Sequence, residues 1–403
     1  ILSASGTERP RSDNRLLATI LVQEGDVRSY ALEGSVFVAG SLIKWLRDGL
    51  GLLANAAESE GLARSVADNR RVYLVPALTG LGAAHGGPDA LGAAEHDFST
   101  NANACGPCPQ ALAAVLRADA SRYPDPGYGA LRERLGALHG VQPSRIHFAA
   151  SGSGFIMRMT AAVQRLGGQG VHAPRPGYGD YARAALASGM SLVPARDAQL
   201  VWHGDPASPT GQSAMAPQLP RGATGVVDMA YAPLRLEGAG AAAHHYWQLW
   251  TPNKALGLTG VRAAYAVAPQ GHDERLARML DALMPSWPIG AHGVAMLHSW
   301  ADAPVQQWVR DCLPVLREWK LRQLLVCESL GWRCLPGDAS FYCAQPRTAD
   351  LADMLARLRA THGIKLRDAG SLGLPGHVRL NVLPPASQDA LRLALQPSLM
   401  HWR

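Results

Sequence analysis

Apolar and polar positions along the 403 residues fall into two regimes. In residues 1–84, alternating apolar segments at 16–22 and 35–40 predict strands, and a helical spacing covers 41–53. A short strand pattern at 72–76 runs into the glycine-rich Thr79-Gly80-Leu81-Gly82. Residues 1–11 hold no apolar core and read as polar and flexible. From His85 onward the pattern settles into strand–helix units, with strands at 146–149, 170–173, 200–203, 225–228, 248–250 and 262–267. Amphipathic helices lie between several of them, as at 153–164 and 180–187. Such alternation predicts a mainly parallel sheet covered on both faces. After about residue 285, long helical stretches (290–301, 305–330) precede short strands at 341–344 and 377–382, which suggests a second, smaller α+β lobe.

Composition narrows the class. An apolar fraction of 47% with 17% charged residues is ordinary for an α/β enzyme with a sizeable core. The net charge of +6 comes from arginines spread along the chain; without a basic block, nucleic acid is not an expected partner. No run of eighteen apolar residues occurs, so no membrane span is expected, and a cytoplasmic protein with reduced thiols is the default. The chain starts with isoleucine, which suggests a trimmed start or a fragment. Cys105-Gly106-Pro107-Cys108 has the spacing of a redox motif, but it follows a loop-like stretch and precedes Pro109, so it reads as a turn. No metal site is expected.

Lysine is scarce: Lys44, Lys254, Lys320 and Lys365 are the full set. Lys254 lies just past a strand, ahead of a glycine-punctuated turn, with Arg262 eight residues on. An amine there suits a phosphate-bearing aldehyde cofactor, with Thr251 and Arg262 in reach of the phosphate. Arginine's planar fork takes two phosphate oxygens at once. A merely solvated lysine is the alternative. Upstream, Val226-Val227-Asp228 is an apolar strand ending in a carboxylate, where α/β sheets bind ligands, with Tyr231 three residues on. Asp228 would hold a ring nitrogen protonated, or else simply cap a turn. Ser151-Gly152-Ser153-Gly154 joins a strand to a helix, and its small residues and free amides suit a phosphate. Tyr178 could stack on a cofactor ring or serve as a core tyrosine.

The order of phosphate loop, aromatic, Asp205-Pro206-Ala207-Ser208-Pro209-Thr210-Gly211 turn, Asp228-x-x-Tyr231, and Lys254 with Arg262 resembles the fold-type-I class I/II aminotransferases. Gly376-His377-Val378-Arg379-Leu380 resembles that family's strand carrying the arginine for the substrate α-carboxylate. The resemblance implies an aspartate-aminotransferase-like α/β fold over residues 85–403, with a large domain at about 120–285 and a small one at about 85–119 plus 286–403. It implies pyridoxal 5′-phosphate as cofactor, bound by Gly152, Ser153, Tyr178, Ser208, Asp228, Tyr231, Thr251, Lys254 and Arg262. Lys254, Asp228 and Tyr231 are the implied catalytic residues; Tyr231 would bond the ring's phenolic oxygen.

Within the family, His85-Gly86-Gly87, Asp97-Phe98-Ser99-Thr100-Asn101-Ala102-Asn103 and Arg122-Tyr123-Pro124-Asp125 look like threonine-phosphate decarboxylase of cobalamin biosynthesis. Histidinol-phosphate aminotransferase shares most of these motifs and is the second reading. The implied substrate is a small amino-acid phosphate, held by Arg379, Arg367, His85, Asn103 and, across a homodimer junction, Tyr123. A loop histidine and a strand-end arginine are the plain alternatives for His85 and Arg367. Ser208, Asn253 and Met229 replace family residues, and the segment from Thr210 to Asp228 is short for the helix usually found there. These departures bear on activity more than on fold.

Residues 14–82 resemble a fragment of glycerol kinase, through Tyr30-Ala31-Leu32-Glu33-Gly34-Ser35, Trp45-Leu46-Arg47-Asp48-Gly49 and the 72–82 stretch; Gly40 would approach the nucleotide. The family's glycerol site and catalytic acid are absent from it, so no kinase activity is expected. A non-catalytic fusion remnant or a gene-model error is the expectation for residues 1–84.

Overall fold

The computed structural model describes residues 2–6, 17–24, 27–33, 55, 58, 61, 94–240 and 244–396. The expected elements at 35–40, 41–53 and 72–76, together with Gly40 and His85, lie outside the described residues. The chain divides into two compact units, residues 1–92 and 93–403.

In the first unit, β1 (Leu2–Gly6), β2 (Leu17–Glu24) and β3 (Val27–Glu33) form an antiparallel sheet in the order β1-β3-β2. A strand at 2–6 corrects the expectation of a flexible start. Its pairing with residues 30–33 runs through the backbone, so it needs no apolar core of its own.

The second unit opens with β4 (His96–Asp97), α1 (Pro109–Leu116) and α2 (Gly129–His139). A strand–helix series follows: β5 (Ile146–Ala149), α3 (Gly152–Arg165), β6 (Gly170–His172), α4 (Gly179–Ala187), β7 (Ser191–Leu192), β8 (Leu200–Gly204), β9 (Thr224–Asp228), β10 (Trp247–Trp250) and β11 (Ala264–Val267). These strands form a seven-stranded sheet, β5-β11-β10-β9-β8-β6-β7, parallel except where β11 runs against its neighbours. Side chains alternate between the two faces, as the two-residue period of a strand requires. Phe148 and Tyr265 join a core with α1 and α2, whereas Ala149, Ala264 and Ala266 join one with α3 and α4. On the first of these faces, over β8 and β9, residues 211–223 cross without a helix; Ala216 and Leu219 pack on Val201 and Val227 there.

Next come α5 (Glu274–Ala282), α6 (Ala291–Trp300) and the long α7 (Ala303–Ser329). The first half of α7 packs with the large sheet: Val305, Val309, Cys312 and Leu316 share its core. Beyond it, β12 (Arg333–Cys334), β13 (Phe341–Gln345), α8 (Leu351–His362), β14 (Ile364–Lys365), β15 (Arg367–Asp368), β16 (Val378–Asn381) and α9 (Pro385–Leu395) build the smaller lobe. Its four-stranded sheet is β12-β13-β16-β15, and Phe98 from the start of the unit enters its core. All six cysteines are free: Cys108 is buried at the head of α1, and Cys105 turns to the Cys312 carbonyl instead of to Cys108. No described helix is long and apolar enough to cross a membrane.

Candidate active site

The carboxyl ends of β5, β9 and β10 lie on one edge of the large sheet, because β11 reverses direction between β5 and β10. The helix start after β5, Asp228 at the end of β9 and the Lys254 loop after β10 therefore converge. Such an edge is where open α/β sheets bind ligands.

Lys254 donates to Thr251 Oγ1 at 3.2 Å and stands 5.4 Å from the centre of the Tyr231 ring. Protein surrounds both Lys254 and Asp228, yet each keeps intermediate exposure, as groups on the floor of a cleft do. Burial pushes the Lys254 ammonium below its ordinary pKa, Asp228 opposes that shift, and Arg262 and Arg379 add to it. A neutral amine, the nucleophilic form, is thus favoured at lower pH than for a free lysine. Burial likewise pushes Asp228 up, against the charge of Lys254, a 2.8 Å bond from Tyr181 O–H and a 3.0 Å bond from the Ala230 amide. Tyr181 was not singled out from sequence. It stacks on Trp202 at 5.0 Å, which fixes its ring beside the carboxylate.

At the start of α3, Ser151 Oγ accepts from the Gly154 amide at 3.0 Å. The amides of Gly152 and Ser153 donate to no acceptor among the described residues, as expected of a first helical turn. A Cβ on Gly152 would come within 2.9 Å of Thr251 Cγ2. Ser153 Oγ lies 3.1 Å from Tyr178 Oη, which donates to Asp180 at 2.8 Å. Ser208 reaches the Arg379 guanidinium at 3.4 Å. The same turn carries Asp205, fully buried and ion-paired with Arg235 at 2.8 Å, a pair the sequence did not disclose.

Arg379 and Arg367 face each other directly across the antiparallel β15–β16 pair, so both side chains occupy one face. Both are buried. Arg367 contacts Ser371 Oγ at 3.3 Å, and Arg379 donates to the Ser99 carbonyl at 2.7 Å. No carboxylate among the described residues lies in ion-pair range of Arg379, and its Nε has no partner. A buried guanidinium without a counter-ion is costly unless a ligand supplies the anion. Asn103 holds the lysine loop: its backbone amide donates to the Lys254 carbonyl at 2.9 Å and its side chain to Ala255 O at 3.0 Å. Its Oδ1 accepts from the Cys105 amide, so the whole side chain is engaged with backbone. Tyr123 is 77% exposed and stacks on Trp287 at 4.3 Å, with no hydrogen bond to the group around Lys254 among the described residues.

Residues 94–396 match the family model for aminotransferase class I and II. A histidinol-phosphate aminotransferase from Sinorhizobium meliloti, solved in complex with pyridoxal-5'-phosphate, superposes with a TM-score of 0.66 at 22% identity, covering 82% of this chain and 98% of that one. An L-threonine-O-3-phosphate decarboxylase from Porphyromonas gingivalis gives 0.63 at 19% identity, over 74% and 98% of the two chains. These likenesses show the fold. Glycerol kinase from Alkalilimnicola ehrlichii is 58% identical over 86 residues, which cover 21% of this chain and 17% of that protein. The chain thus spans less than a fifth of the kinases it matches.

The residues present fit pyridoxal 5′-phosphate. The unengaged amides and bare glycine at the start of α3 leave a cradle for a phosphate with Thr251 against it, and the Lys254 amine lies within the fields of the Asp228 carboxylate and the Arg262 guanidinium, the donor set such a cofactor uses. Filling the cradle is a direct check. Gly152→Ala should displace Thr251 at an overpacking cost of about 1–3 kcal/mol and weaken cofactor retention by about 10-fold. Titration of the cofactor into the apo-protein reads this, and unchanged affinity would remove the cradle from the site. The chain belongs to the class I and II aminotransferases, a family of pyridoxal 5′-phosphate enzymes.

Proposed function

We propose that this chain is a lyase that removes the α-carboxyl group of L-threonine O-3-phosphate, yielding CO₂ and an aminopropanol phosphate for cobalamin biosynthesis. The observation that carries the reading is the pair of buried arginines facing each other on β15 and β16, Arg379 with no carboxylate partner among the described residues. A substrate bearing both an α-carboxylate and a phosphate would supply an anion to each.

When bound, pyridoxal 5′-phosphate supplies an electron sink that weakens whichever Cα bond stands perpendicular to its ring. The protein's part is orientation. Arg379 would grip the α-carboxylate and Arg367 the distal phosphate, so that the Cα–carboxylate bond is the one presented for cleavage. Lys254 would hold the cofactor through its amine and carry the proton that takes the place of CO₂ at Cα. Asp228 would hold the ring nitrogen protonated, with Tyr181 fixing the carboxylate. Tyr231 would face the ring's phenolic oxygen, while Tyr178, Gly152, Ser153, Thr251 and Arg262 would frame ring and phosphate. We further propose a cytoplasmic homodimer in which the exposed Tyr123 serves the neighbouring copy's site. No activity is assigned to residues 1–92.

The second reading is an aminotransferase acting on histidinol phosphate or another amino acid, favoured by the family model itself. A transaminase needs Arg379 for its 2-oxo acid partner, so the arginine alone does not separate the two. The assay does. Cofactor-loaded protein given L-threonine O-3-phosphate should release CO₂ with no 2-oxo acid present. Turnover that starts only on adding 2-oxoglutarate, with no CO₂, would replace the first reading by the second.

A further inference from the structure

Asp97 lies outside the group around Lys254, yet its carboxylate organises the loop that reaches it. Oδ1 accepts from the Ser99 amide at 2.9 Å, the Ser99 hydroxyl at 2.6 Å and the Thr100 amide at 3.2 Å. Oδ2 accepts from the Thr100 hydroxyl at 2.9 Å and lies 3.7 Å from the ammonium of buried Lys365. One carboxylate thus pins two consecutive residues by both backbone and side chain. Lys365 is also its register partner across the parallel β4–β14 bridge, two residues before Arg367.

What the pinned loop touches gives it meaning. The Ser99 carbonyl takes the 2.7 Å bond from Arg379. On either side of that contact, Asn381 donates its backbone amide to Phe98 O at 2.8 Å and its side chain to Ala102 O at 2.9 Å. The loop ends at Asn103, on the Lys254 carbonyl. A single short segment therefore joins the arginine of the small lobe to the lysine loop of the large one. Its conformation depends on a charge that neutral residues could not replace bond for bond, because only an ionised carboxylate accepts four such donors beside an ammonium.

We propose that Asp97 is a positioning residue for substrate recognition: it locks the Ser99 carbonyl where it aims the Arg379 guanidinium, and so sets the site's grip on the α-carboxylate. The inference rests on the reading of Arg379 as the carboxylate-binding residue. It gives the Asp-Phe-Ser segment a physical task in deciding which Cα bond is presented.

The test compares two ligands on cofactor-loaded protein, followed by the cofactor's absorbance: L-threonine O-3-phosphate and its carboxyl-free counterpart, 1-aminopropan-2-yl phosphate. In Asp97→Ala the preference for the carboxylated ligand should fall about 10- to 100-fold, with affinity for the carboxyl-free ligand nearly unchanged. Asp97→Asn keeps one acceptor and should recover part of the preference. Thr100→Val, a milder change that removes a single bond to Oδ2, should lose preference in the same direction and covers the case in which Asp97→Ala fails to fold. Equal weakening of both ligands, or an unchanged preference in these variants, would reduce Asp97 to a structural residue and overturn the inference. Wild-type protein that does not distinguish the two ligands would instead overturn the reading of Arg379, and the inference with it.

Discussion

Lys254→Ala protein, reconstituted with pyridoxal 5′-phosphate, is expected to lack the visible absorbance of the wild type and to lose turnover by at least about 10²–10⁴-fold. That range is what a positioned proton carrier contributes by itself, before the loss of covalent attachment is added. The other described lysines cannot substitute. Lys320 is buried and donates to the Gly337 carbonyl, and Lys365 is paired with Asp97. Lys254 stands within the fields of Asp228, Arg262 and Arg379, where burial and two guanidinium charges favour the neutral amine. The check is an absorbance spectrum alongside a turnover assay. A variant that keeps the wild-type visible band would place the cofactor's attachment elsewhere and remove the basis of the proposed chemistry.

Asp228→Asn should retain the fold and bind the cofactor, but turn over about 10²–10³-fold more slowly, the usual cost of removing one preorganised electrostatic partner. The substitution is nearly isosteric. It removes the charge and leaves one of the two donors, Tyr181 O–H or the Ala230 amide, facing an amide N–H₂ instead of an acceptor. The pH profile adds a second reading. Burial holds the Asp228 carboxyl above its ordinary pKa despite Lys254, Tyr181 and Ala230. Its ionised fraction, and any activity carried by that form, therefore falls as pH drops through the raised value, earlier than for an exposed aspartate. The variant should lack this acid limb. A wild-type-like rate or an unchanged acid limb in Asp228→Asn would show that the carboxylate plays no electronic part.

Both predictions concern residues legible in the chain itself, and the reason is locality. Lys254, Thr251 and Arg262 sit within one turn-rich segment, and Asp228 ends an apolar strand, so their chemistry follows from neighbours a few residues away. Ser151 to Gly154 announces a helix start by the same logic, with a capping hydroxyl three residues from the amide it binds. The strand–helix alternation was equally legible, since the two-residue and 3.6-residue periods are local. Strand ends moved by a residue or two, as at β11, which starts at Ala264 instead of 262. Pairing begins there, once the chain has left the glycine-punctuated turn.

By itself, then, the sequence determined which segments become strands and helices, where a lysine loop, a strand-end carboxylate and a glycine-bearing helix start fall, and which family they belong to. Tertiary structure alone decided their partners. Tyr181 lies 47 residues from the Asp228 it bonds, and Ser99 lies 280 residues from Arg379. The opposition of Arg367 to Arg379 depends on a strand register in which a slip of one residue would turn either side chain to the other face. Contacts of this kind follow from strand order and from one lobe closing on the other, and no local preference of the chain encodes them.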